Sequence, residues 1–353
     1  MVRKLRLNDT IRRWLRLPPR IQTTTSPHKR GRVDHVVILD GTMSSLVAGQ
    51  ETNAGLAYKL ICEAAHPVGV SIRYEQGVQW IKWRDTLDVI EGRGINRQIC
   101  RSYGFIASRY RPGDRIFLLG YSRGAYAVRS LAGIIDRVGL LRAQEATERN
   151  IRQIYRLYQN DPNGPAATEF AARHCHDKVP VEMVGVWDTV RALGIHWPVL
   201  WRFSRVAHKF HSAHLGDAVR HGFHALALDE RRLVYKPVMW ESRPDWDGVM
   251  EQMWFRGTHG DIGGQLSGFE KARPLANIPL AWMMEKAETC GLALPEGWRD
   301  RFFEDVRAPS VGILSGWSLI FVRRRKRLVG VDPSEKIHPS AIGSFRGHDK
   351  AGD

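Results

Sequence analysis

Apolar residues in this chain come in two alternating forms, short unbroken runs and helically spaced sets. The runs are His35-Val36-Val37-Ile38-Leu39, 115–120 (RIFLLG), 179–187 (VPVEMVGVW) and Met253-Trp254-Phe255, with a weaker one at 69–74 (GVSIRY). A continuous aliphatic and β-branched run predicts a strand buried on both faces, as in a parallel sheet. Helical spacing recurs over 53–65, 95–110, 124–138, 148–158 and 278–289. Strands alternating with helices predict an α/β fold, a mostly parallel sheet with helices on both faces. Pro112-Gly113-Asp114 and Pro162-Asn163-Gly164-Pro165 mark turns. The expected layout is a basic N-terminal segment and linker at 1–32, one domain at 33–345 and a tail at 346–353. Helical insertions are expected around 139–178 and 191–225, and a loop at 75–94 over one end of the sheet. No internal repeat is visible.

Composition narrows this little. Hydrophobic residues are 43% and charged residues 25% of 353, which is ordinary for a globular chain and excludes wholesale disorder, collagen and coiled coil. The net charge of +16 favours an anionic partner. Cys62, Cys100, Cys175 and Cys290 are scattered, with no CxxC pair, so neither a disulfide framework nor a cysteine-built zinc site is expected. No apolar run approaches the ~20 residues that span a bilayer. The basic N-terminus lacks the apolar core of a secretory signal. A cytoplasmic protein, at most peripheral to a membrane, fits best; export would need a route other than a signal peptide.

The sharpest chemical signal is Gly120-Tyr121-Ser122-Arg123-Gly124. It fits G-x-S-x-G, a tight strand-to-helix turn that lifts a serine hydroxyl above the sheet edge, and the strand and helix it requires flank it here. The bland alternative is a tight turn with an exposed serine. A serine needs a base in contact and an acid behind the base. Asp188 ends the next strong strand, where the C-terminal strand ends of a parallel sheet gather. His259 lies in 257–264 (GTHGDIGG), read as a glycine-flanked loop that swings an imidazole over that edge. Asp188 could instead cap a helix, His259 could be a surface residue, and Asp261 and Asp229 are rival acids. The backbone N–H of Arg123 is the first candidate oxyanion donor, and the second could come from Gly41, Thr42 or Met43. Asp40 would stiffen that loop through backbone hydrogen bonds.

Other clusters carry weaker signals. His208, His211, His214, His221 and His224 fall in one segment read as helical, and His174-Cys175-His176 in another; a solvated or lid face is the plainer reading than a metal site. Asp40, Asp188 and Asp261 could form a carboxylate site for a hard cation. Trp197 and Trp201 could line an apolar lid or simply pack in the core. Residues 1–20, with Ile11, Trp14 and Leu15 on one face, could be a basic interfacial helix. The run Arg323-Arg324-Arg325-Lys326-Arg327 reads as a solvated or headgroup-facing patch, because no nucleic-acid motif accompanies it.

The ordered segments LDGT, GYSRGAYAVRSLAG, VGVWDTVRALG, HALALDERR, WFRGTHGDIGG and IHPS resemble those of the type VI secretion phospholipase-effector-like catalytic domain, an α/β-hydrolase family. The resemblance covers about 33–345. It implies a Ser-Asp-His triad on Ser122, Asp188 and His259, an ester substrate such as a lipid or phospholipid, and no metal or organic cofactor. The sequence departs from the family pattern at Met43 and Ser44 after DGT, at Arg256 and at Gly260. The reading is a serine hydrolase working through an acyl-enzyme. Its alternatives are a metal-assisted phosphoesterase and a non-enzymatic basic binding protein on the same scaffold.

Overall fold

The computed structural model describes residues 30–65, 69–77, 93–190, 213–313 and 324–345. Residues 1–20, positions 78–92 of the expected 75–94 loop, Trp197 and Trp201, His208, His211 and Arg323 lie outside the described residues. Seven strands form one sheet: β1 (Asp34–Leu39), β2 (Val70–Glu75), β3 (Arg115–Tyr121), β4 (Val181–Trp187), β5 (Val219–Ala227), β6 (Val249–Phe255) and β7 (Glu335–Ile337). Their order is β2-β1-β3-β4-β5-β6-β7, and every pairing is parallel. The chain steps from β1 out to β2 and then returns to the other side of β1 with β3. The crevice at the C-terminal ends of β1 and β3 is therefore the topological switch point, where such sheets bind ligands.

The unbroken apolar runs arise because both faces are covered. On one face Val37, Leu39 and Leu118 pack with Ile99 of α2 (Arg93–Ala107) and with Val128 and Leu131 of α3 (Arg123–Arg137). On the other, Val36, Ile38, Phe117 and Leu119 meet Ile61 of α1 (Asn53–Ala64) and Leu280 and Met283 of the later helix at Arg273–Thr289. The expected insertion at 139–178 holds α4 (Glu148–Asn160) and α5 (Pro165–His174), whose Ile154, Tyr158 and Ala167 join the α2–α3 side of the core.

The segment at 191–225 departs from expectation. Its end is a strand, β5, and not helix. The sequence VRHGFHALA hides this because a central strand buried on both faces shows no two-residue alternation. Its histidines are accommodated by hydrogen bonds: His221 Nδ1 lies 2.8 Å from Glu182 O, and the fully buried His224 accepts the Thr189 N–H at 3.1 Å. His214, before β5, lies beside Glu241. The three described histidines thus stand on separate supports and share no helical face.

The turn from β3 to α3 leaves no space for side chains at its glycines. A Cβ on Gly124 would stand 2.0 Å from Leu39 O and 2.6 Å from Asp40 O, and one on Gly120 would stand 2.7 Å from Gly124 O. These obstacles are backbone and cannot rotate away. Gly124→Ala is expected to destabilise the fold by about 3 kcal/mol or more, whereas Gly343→Ala, with nothing within 4 Å, should stay within about 0.5 kcal/mol. Urea unfolding of the two variants checks this.

Candidate active site

Ser122 sits between β3 and α3 at φ 57° and ψ −117°, a left-handed conformation that a non-glycine residue adopts only under constraint. The constraint is the close approach of Gly120 and Gly124 and a hydrogen bond from the Ser122 amide to Trp187 O on β4, 3.0 Å. Asp188 follows β4 directly and is also at positive φ, 40°. His259 opens α6 (His259–Gly263), a short helix after β6. The helix replaces the expected loop. It forms because Asp261 accepts the Thr258 amide (2.7 Å) and hydroxyl (2.8 Å), fixing the first turn. Asp261 also accepts Ser310 Oγ (2.5 Å) and the Val311 amide (2.8 Å), so it braces this turn and is not the acid behind the histidine.

Three strand ends thereby bring together the residues singled out in the sequence. His259 Nε2 lies 2.9 Å from Ser122 Oγ, and His259 Nδ1 lies 2.6 Å from Asp188 Oδ2. With a carboxylate at Nδ1, that nitrogen carries the proton and Nε2 is left to accept from the serine hydroxyl. The imidazole is held on both faces. The ring of Tyr235 stacks at 4.5 Å and 17°, and Tyr121 lies at 5.0 Å and 31°. The His259 amide donates to Glu230 Oε2, 3.1 Å. Asp229, the other rival acid, accepts the Gly257 amide at 2.7 Å and so supports the loop before the histidine.

Asp188 is fully buried, and burial by itself would raise its pKa. The Arg327 charge, His259 and the hydrogen bonds from both outweigh that and hold the carboxyl well below the ordinary carboxylate range. Arg327 Nη1 donates to Asp188 Oδ1 (2.6 Å) and Ala227 O (2.7 Å), and Nη2 to Asp188 Oδ2 (2.9 Å) and Tyr235 O (2.6 Å). The Ala227 amide adds a bond to Oδ1, 3.1 Å. Sequence reasoning missed Arg327 by reading the whole 323–327 run as solvated. Arg324, Arg325 and Lys326 are exposed, but Arg327 is buried. The apolar Leu328-Val329 that follows it was the one hint that the run turns inward.

The loop after β1 supplies the remaining pieces. Gly41 is corrected as an oxyanion donor: its N–H is spent on Asp40 Oδ1, 2.6 Å. Thr42 takes Arg123 Nη2 on its hydroxyl and Gln265 Nε2 on its carbonyl, and its own amide has no partner among the described residues. The Arg123 amide likewise donates to no acceptor among the described residues. Asp40 anchors this loop, accepting Thr52 Oγ1 (2.5 Å) and Tyr74 Oη (2.6 Å) as well as Gly41. Burial pushes its carboxyl from 3.8 up to about 6, against the pull of those hydrogen bonds. Asp40, Asp188 and Asp261 are each filled by separate donors. Among the described residues no cluster of three or more His, Cys, Asp or Glu could hold a metal ion.

The profile of the family described as "T6SS, Phospholipase effector Tle1-like, catalytic domain" matches residues 34–286. The chain belongs to this family. The match carries Ser122, Asp188 and His259 and ends before Arg327. The chain is also 32% identical over 170 residues to an uncharacterized protein of Saccharomyces cerevisiae, a stretch covering 46% of this chain and 24% of the yeast protein. Among solved structures it is similar to an uncharacterized protein from Pseudomonas aeruginosa, at 15% identity and TM-score 0.44, over 77% of this chain and 49% of that one. It is also similar to the Tle1 effector bound to the VgrG spike from the type 6 secretion system, at 18% identity and TM-score 0.32, over 67% and 51%. The chain therefore spans about a quarter of the yeast relative and about half of each structural neighbour.

Two outcomes follow from the buried charges. Arg327→Met leaves Asp188 ionised without its main counter-charge and should destabilise the fold by about 3–5 kcal/mol in urea, with Arg327→Lys recovering part of the loss. Asp40 has a folded-state pKa raised above its unfolded value, so wild-type stability owed to it is present below pH 3.8 and is lost as pH rises through about 6. The stability of Asp40→Asn minus that of wild type should therefore shift in favour of the variant between pH 4 and 7, read from urea midpoints across that range.

Proposed function

We propose that this protein is a serine hydrolase that cleaves carboxylic esters, with a lipid as substrate, through Ser122, His259 and Asp188. The observation that carries the reading is the continuous hydrogen-bonded line from Ser122 Oγ through His259 to Asp188, beginning at a backbone strained into the left-handed region. A strained serine at a switch-point edge, with a base in contact and a buried acid behind it, is an arrangement suited to acyl transfer. The family's printed description, a phospholipase effector, supports a lipid ester as the substrate class.

In this mechanism Ser122 Oγ attacks the ester carbonyl while His259 Nε2 takes its proton. The ionised Asp188 holds the Nδ1–H tautomer and offsets the imidazolium charge as it forms. The amides of Arg123 and Thr42 stabilise the oxyanion, each such donor contributing about 2.7–4 kcal/mol. His259 then hands its proton to the leaving alcohol, leaving an acyl group on Ser122. A water, deprotonated by the same nitrogen, clears the acyl-enzyme. No step needs a metal or an organic cofactor.

Among the described residues no helix is long and apolar enough to cross a membrane. The charge of +16 supports contact with an anionic membrane surface. Ser122→Ala is expected to lower kcat on an acyl ester by about 10³-fold or more, and Asp188→Asn by a comparable factor, with a loss of stability of about 3–5 kcal/mol because buried Arg327 then lacks its carboxylate. Steady-state hydrolysis of a short-chain ester, with circular dichroism of each variant, measures both. Full activity in Ser122→Ala would sink the proposal.

A further inference from the structure

A guanidinium removed from water needs carboxylate or carbonyl partners. The buried and half-buried arginines near the sheet's C-terminal edge mostly have them. Arg327 bonds Asp188, and Arg232 bonds Glu230 with both ends of its fork, at 2.7 and 2.5 Å. Arg273 donates to Glu51 O (2.7 Å) and Gly264 O (3.1 Å). Arg129 donates to Val238 O and Met239 O and lies 4.7 Å over the Trp240 ring.

Arg123 does not follow this pattern. Its side chain is half-buried, and among the described residues its one hydrogen bond runs from Nη2 to the Thr42 hydroxyl. Among the described residues no carboxylate pairs with it, and desolvation lowers its pKa against the pull of the Tyr235 phenol. Its position matters as much as its lack of an anion. It is the residue after the nucleophile, it touches the oxyanion loop at Thr42, and it lies within electrostatic range of the Tyr235 ring that stacks on His259. A half-open cation is thus held at the Thr42 loop, on the residue that follows Ser122, with most of its five N–H donors unused among the described residues.

We propose that Arg123 is a subsite for an anionic oxygen group of the substrate, a phosphodiester standing beside the scissile ester. This rests on the serine-hydrolase reading and deepens it. The planar fork of a guanidinium matches two phosphate oxygens at once, which an ammonium cannot do. In a glycerophospholipid the phosphodiester and the nearer acyl ester stand on adjacent carbons. A cation held at the Thr42 loop, one residue from Ser122, would meet that phosphate while the carbonyl meets Ser122. The substrate brings a counter-charge that the described residues do not supply, so binding gives a partly desolvated cation an anionic partner. A neutral ester of the same acyl chains offers no such gain.

The test compares two soluble substrates with the same short acyl chains, a diacyl phosphatidylcholine and the corresponding neutral diacylglycerol, each below its aggregation concentration. Wild type, Arg123→Gln, Arg123→Lys and Ser122→Ala are assayed, with thermal unfolding of each. Wild type is expected to favour the phosphodiester. The ratio of kcat/KM for phosphodiester over neutral ester should fall by about tenfold or more in Arg123→Gln, mainly through KM, with Arg123→Lys in between. Equal losses on both esters, leaving the ratio unchanged, would mean that Arg123 acts only by bracing Thr42, and would overturn the proposal. So would a wild type that hydrolyses the neutral ester as well as the phosphodiester, or that turns over neither. Inorganic phosphate forms a third arm: inhibition of neutral-ester hydrolysis that Arg123→Gln abolishes, with no change in the substrate ratio, assigns the subsite to free phosphate instead. Activity surviving in Ser122→Ala would remove the hydrolase reading itself and is separate from all of these outcomes.

Discussion

The Asp188 carboxylate carries its charge with no exposure to water, and the surrounding chain is arranged around that fact. An ionised carboxylate in such a site persists only if its hydrogen-bonding capacity is filled and a cation stands against it. Arg327, the Ala227 amide and His259 Nδ1 do this together. One consequence reaches Ser122: a carboxylate that stays ionised keeps the proton on Nδ1, so Nε2 faces the Ser122 hydroxyl as an acceptor. Another reaches the fold. The same guanidinium bonds Ala227 O at the end of β5 and Tyr235 O, and Tyr235 is the residue whose ring covers the imidazole. The charge pair thus ties β4, β5 and the histidine's cover to a segment that follows the family-matched region.

How much of this was legible in the sequence depended on how local each cause is. The serine turn was legible because both glycines that permit it lie within two residues of Ser122, between an apolar strand and a helix. Asp188 was legible because it ends an unbroken apolar run. His259 was found, yet its neighbourhood was misread: the glycines suggested a loop, whereas the reciprocal bonds of Thr258 and Asp261 build a short helix. Arg327 was not legible. Nothing in a string of five basic residues says which one turns inward, since the answer lies 139 residues away at Asp188. The histidine segment failed for a related reason. His221 and His224 were counted as a polar face, but each satisfies a ring nitrogen on a neighbouring backbone group and so fits within a central strand. Gly41 stood level with Thr42 and Met43 as a second donor in the sequence, and only the Asp40 contact reveals where its N–H goes.

Charge is distributed unevenly around the crevice. Arg327 and Arg232 are fully engaged by carboxylates, Asp40 is held by three hydrogen-bond donors at a raised pKa, and Arg123 stands without an anion. The first two build the site and the third shapes the oxyanion loop. Among the described residues no carboxylate compensates the charge of Arg123, on the residue that follows Ser122, which is why the proposed subsite sets an anionic substrate apart from a neutral one. The basic excess of the chain acts at longer range, gathering the protein toward anionic surfaces without choosing among esters.

The central claim is that Ser122 is a nucleophile made reactive by His259. Peptide mass mapping after treatment with a fluorophosphonate tests it most directly. The account predicts one covalent adduct, on Ser122, formed rapidly in wild type and far more slowly in His259→Gln. No adduct, an adduct on a different residue, or labelling of Ser122 that ignores the loss of His259 would contradict it.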